Sequence, residues 1–62
     1  MTLRLIATTC TDGDCPKLYR DDTTGDVVVQ GYATDTLATP AGEGVLRIPA
    51  TDWQTLLTQL GQ

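Results

Sequence analysis

The chain has 62 residues, four Lys or Arg against eight Asp or Glu, and no His. That length leaves no room for a second domain, so residues 1–62 read as a single one. It also rules out His-based acid–base catalysis and a His metal site, and a net charge of −4 argues against direct nucleic-acid binding through a basic face.

Ser, Asn and Phe are absent, and Thr occurs 12 times. A domain this small is marginally stable alone and calls for a staple, a dimer partner or a larger complex. No stretch approaches the roughly 20 apolar residues of a membrane span. The opening Met1-Thr2-Leu3-Arg4-Leu5-Ile6-Ala7 is too short an apolar run for a signal peptide, so the expected compartment is cytoplasmic.

In chain order, residues 2–8 read as a strand with Leu3 and Leu5 on one face and Arg4 on the other. Residues 9–16, holding Asp12-Gly13 and Pro16, form a loop. Residues 17–20 alternate again, which puts Leu18 and Tyr19 on opposite faces. Residues 21–26 make a polar hairpin turn, with Gly25 free to adopt positive φ.

Val27-Val28-Val29 is the strongest strand signal, and its unbroken run suggests a central strand covered at least partly on both faces over 26–32. Residues 32–41 fit either a loop or one helical turn ending before Pro40. A turn at 40–44 leads to a last strand over 44–48, with Leu46 and Ile48 on one face. Thr51-Asp52-Trp53-Gln54 matches a capping box, and Trp53, Leu56, Leu57 and Leu60 form one apolar stripe that Gly61 ends.

Strands followed by a helix give an α+β class: a small antiparallel sheet of three to four strands with one C-terminal helix packed on it. The expected core is Val27, Val29, Leu46, Ile48, Trp53, Leu56, Leu57 and Leu60.

Cys10 and Cys15 are the first candidates for chemistry. Two thiolates make only half a structural zinc site. The spacing is C-x₄-C rather than C-x-x-C, and no βαβ pattern surrounds it. A local disulfide is feasible if the Cα atoms approach within about 7 Å, although the cytosol would keep it reduced. The remaining reading is two small side chains packing beside a turn.

Asp12, Asp14, Asp21, Asp22 and Asp26 cluster in two loops but lack the calcium-loop pattern, and Asp favours turns for its own hydrogen-bonding reasons. Tyr19, Arg20 and Tyr32 are interface candidates. No Ser or His nucleophile system and no phosphate-binding glycine loop is present, so neither an enzyme nor a cofactor is expected.

Two stretches carry a resemblance. One is Cys15-Pro16-Lys17-Leu18-Tyr19-Arg20 followed by Gly25-Asp26-Val27-Val28-Val29-Gln30-Gly31-Tyr32. The other is Pro40-x-Gly42-Glu43, the Ile48-Pro49 strand end and Asp52-Trp53-x-x-Leu56-Leu57. Over most of residues 10–60 these resemble short actinobacterial proteins similar in layout to the BldB-like group, encoded beside helix-turn-helix regulators. The resemblance implies a regulatory accessory protein that binds another protein, such as a helix-turn-helix regulator, with no catalytic residue.

The acidic charge suits docking on a basic regulator. The expected role is therefore a protein-interaction module in transcription regulation, homodimeric or part of a complex. The alternative is a metal-binding or redox module using Cys10 and Cys15.

Overall fold

The computed structural model describes residues 2–10 and 15–61. Five strands, β1 (Leu3–Thr8), β2 (Lys17–Asp21), β3 (Val27–Gln30), β4 (Tyr32–Thr34) and β5 (Val45–Arg47), precede one helix, α1 (Ala50–Gln59). The α+β class expected from the element order holds. The strands are divided between two antiparallel sheets, β1-β2-β3 and β4-β5.

Gly31 separates β3 from β4. The extended stretch expected over 26–32 is therefore broken there, and the ambiguous segment after it begins as strand β4 and forms no helix. The valine strand is not central. It is an edge, and β2 lies in the middle.

The turn from β2 to β3 is built by its own polar groups. The Asp21 carbonyl accepts the Gly25 N–H at 2.7 Å, and the Asp21 N–H donates to the Asp26 carbonyl at 2.8 Å. The carboxylate of Asp21, itself buried, accepts the Thr23 N–H at 2.9 Å. Gly25 takes φ +82°, a conformation that side chains with a Cβ adopt rarely.

Helix α1 begins two residues earlier than a Thr51 cap would place it. Pro49, at φ −55° and ψ 148°, is the N-cap and has no side-chain cap bond, while its carbonyl accepts the Trp53 N–H at 2.9 Å. Thr51 is consequently inside the first turn beside Asp52, and the expected capping box with Gln54 does not form. Proline explains the shift, because its ring presets the φ that the chain needs to enter the helix. At the other end Gly61, at φ +83°, donates to the Thr58 carbonyl at 3.1 Å and stops the helix as expected.

Among the described residues, the buried apolar side chains are Ala7, Leu18 and Leu56, with Ile6 and Ile48 packed against them. Leu56 is fully buried, and Leu57 is half-buried. The rest of the expected core is corrected: Val27, Val29, Leu46, Trp53 and Leu60 are exposed. The helix packs on β1, and the helix-side positions of edge strand β3, Val27 and Val29, stay 49% and 42% exposed. One short helix presents one narrow stripe, and only its central Leu56 is enclosed on all sides.

Candidate protein interface

Register fixes which side chains share a face, since directly paired residues of an antiparallel ladder point the same way. Leu18 pairs with Ala7 on one side and Val29 on the other, which defines the helix side of the sheet. Tyr19 pairs with Leu5 and Val28, so these three form a row on the opposite, outer face. Leu3 belongs to the same face, paired with Asp21.

A register shift between Leu5 and Ala7 makes this division possible. The extra residue, Ile6, reverses the alternation of β1. Before the bulge the leucines point outward. After it, Ala7 points to the helix. The outer face therefore carries Leu3 at 41% and Leu5 at 49% exposure, with Tyr19 of the middle strand and Val28 of the β3 edge half-buried. Lys17 and Asp21 close the two ends of the middle strand on that face.

The candidates Tyr19, Arg20 and Tyr32 do not meet in one patch. Tyr19 is on the outer face. Arg20, its neighbour in the strand, points to the helix side and donates from Nη1 to the Gly25 carbonyl at 2.9 Å, bracing the turn. Tyr32 is exposed in the second sheet, paired with Arg47. The residues that complete the outer face, Leu3, Leu5 and Val28, were not among the candidates. Their signal is the alternation of β1 read together with the bulge.

Cys10 and Cys15 are joined as a disulfide, with Cα atoms 6.0 Å apart. It closes the loop between β1 and β2, next to the buried Pro16. In this state neither sulfur is a thiolate, the form that ligates metal or attacks another disulfide. Thr8 organises the same end of the hairpin: its hydroxyl donates to the Cys10 carbonyl at 2.8 Å.

Of the acidic loop residues, Asp12 and Asp14 lie outside the described residues. Asp21 and Asp26 serve the turn, and Asp22 pairs with Arg4 at 3.1 Å. Among the described residues no three His, Cys, Asp or Glu gather as a metal site, and no helix is long and apolar enough to cross a membrane. Comparison with protein-family models, curated proteins and solved structures finds no match to this chain.

Proposed function

We propose that this chain is a small acidic protein-interaction module, an accessory of a transcriptional regulator of the helix-turn-helix kind, acting in the cytoplasm and not as an enzyme. The observation that carries the reading is the imbalance of its apolar residues. Among the described residues the buried core is Ala7, Leu18 and Leu56, while Leu3, Leu5, Val27, Val29, Leu46 and Trp53 are among those left exposed. Of these, Leu3 and Leu5 stand together on the outer face of the first sheet, and apolar residues grouped in this way suit contact with another protein.

The charge pattern supports a basic partner. Asp26, Asp35, Glu43 and Asp52 all stand in turns, loops or the helix rather than in the strands, where they can steer a cationic surface toward the module. Two of the four cations, Arg4 and Arg20, are engaged by Asp22 and by Gly25, so direct contact with nucleic acid forms no part of the proposal. The resemblance to small proteins encoded beside such regulators points the same way.

Affinity capture of the tagged chain from its native host tests this. The expected result is a basic regulator retained in stoichiometric amount at low salt and released as ionic strength rises. Recovery of no such regulator at low salt would overturn the assignment.

A further inference from the structure

We infer that the Cys10–Cys15 disulfide is a redox latch on α1. While it is closed, the side chain of Gln59 holds the end of β1. Its reduction by a thiol releases the last turn of the helix and opens the β1 edge at Thr8. The latch goes beyond the interaction-module reading and needs no partner to operate.

Thr8 is the residue at which loop and helix meet. It ends β1, and the β1-β2 ladder stops at its pair with Lys17. Beyond that pair the Thr8 hydroxyl donates to the Cys10 carbonyl at 2.8 Å and accepts the Cys10 N–H at 3.4 Å. The Pro16 carbonyl, next to Cys15, lies 3.3 Å from the same hydroxyl and accepts the Thr9 N–H at 3.4 Å. Three of these four contacts are longer than ordinary hydrogen bonds. They hold the end of the hairpin only while Cys10 and Cys15 are kept together, and the covalent bond keeps their Cα atoms 6.0 Å apart.

The backbone of Thr8 belongs to the helix. Its N–H donates to Gln59 Oε1, and its carbonyl accepts from Gln59 Nε2. Two bonds from one planar amide need both groups of Thr8 in a fixed relation, so a loose strand end forfeits both together. β1 is a border of its sheet and Gln59 is exposed, so water replaces the amide readily. Leu56, one turn earlier, stays enclosed with Ala7 and Leu18 and keeps the body of the helix in place. Opening is thereby confined to the last turn, a local transition of the low-cost kind from which moving elements are drawn.

Both cysteines are half-buried, which leaves the bond within reach of a thiol. In the cytoplasm disulfides are chiefly transient and catalytic or redox-sensing. A reductant thiolate attacks one sulfur, the S–S bond breaks, and the other cysteine leaves as a thiolate and takes up a proton. A second reductant thiolate attacks the mixed disulfide and frees the remaining cysteine, which is protonated in turn. Two electrons and two protons reach the protein, and the reductant ends as its own disulfide.

Two measurements on the full chain test the latch. In the oxidised wild type, nuclear Overhauser effects should connect the Gln59 side-chain amide protons to Thr8. On reduction they should vanish, while the Asp21 and Gly25 amides of the far turn keep their chemical shifts and circular dichroism shows the chain still folded. Because coupling is reciprocal, the disulfide of Gln59→Ala should be easier to reduce. In glutathione or dithiothreitol redox buffers, with thiols trapped by alkylation, its equilibrium constant for reduction should rise at least about fivefold, a potential about 20 mV higher. Arg20→Ala, which removes the brace of the far turn, should shift that constant by less than about twofold. A reduced wild type that keeps the Gln59–Thr8 contacts overturns the inference, as does one that unfolds as a whole. So does a folded Gln59→Ala protein with the wild-type potential, or an equal rise in Arg20→Ala. Should Gln59→Ala not fold, the wild-type spectra decide alone.

Discussion

The side-chain amide of Gln59, in the last turn of α1, holds both backbone groups of Thr8 in β1. Its Oε1 accepts the Thr8 N–H at 2.8 Å, and its Nε2 donates to the Thr8 carbonyl at 2.5 Å. A carboxamide used in this way imitates one residue of a neighbouring strand. It satisfies the outward groups of an edge strand at Thr8 and fastens the helix end to the sheet.

Gln59→Ala should therefore cost about 1–2 kcal/mol, because both bonds are lost while water reaches the freed backbone groups. Gln59→Glu keeps the acceptor and loses the donor, and should fall between. The midpoint of urea unfolding measures both, and hydrogen exchange at the Thr8 amide should quicken in the alanine variant.

Leu56→Ala should be the most damaging single truncation, at about 2–5 kcal/mol. Leu56 is the fully buried apolar side chain through which the helix meets Ala7 and Leu18. For a domain of this size that approaches the whole stability. Trp53→Ala should cost far less, about 1–2 kcal/mol, because the ring remains 42% exposed. Thermal melts of the two variants side by side decide the order. A Trp53→Ala protein less stable than Leu56→Ala would contradict it.

The comparison of those two residues shows what the sequence could disclose. The stripe Trp53, Leu56, Leu57, Leu60 is legible from spacing alone, and so is the helix that carries it. Which member is enclosed depends on where the helix lands across the strands, and spacing holds no information about that. The same holds for β1. Its alternation correctly places Leu3 and Leu5 together, yet the face they occupy is decided by the bulge at Ile6, a property of the pairing with β2 rather than of either strand. The valines illustrate a third case. Their propensity identifies a strand, but its position at the border of the sheet follows from the order of connections.

Thr51→Ala should change stability by less than about 0.5 kcal/mol, the range for surface positions without a special role. A side-chain cap at that residue would have made the loss about 1 kcal/mol. The structure removes the expectation of a cap by starting the helix from Pro49. Chemical denaturation of the variant distinguishes the two values.

Reduction of the Cys10–Cys15 disulfide should lower stability by about 2 kcal/mol, the chain-entropy value for a loop of this size. The melting temperature should drop by roughly 4–8 °C for each kcal/mol lost. Calorimetry with and without a phosphine reductant measures it. A Cys10→Ala, Cys15→Ala double variant should reproduce the reduced protein and be indifferent to reductant.

The position of Leu56 also governs the life of the chain before it is folded. Ala7 and Leu18 belong to the sheet, and the side chain that encloses them comes from an element that follows every strand in chain order. During synthesis, at about 5–20 residues per second, the hairpins emerge with nothing to close over them. Bringing Leu56 to Ala7 closes a long segment, an entropic cost that the hairpins between them reduce but do not remove. The nascent protein therefore gains its tertiary structure in one late step, when α1 is free to close over the sheet.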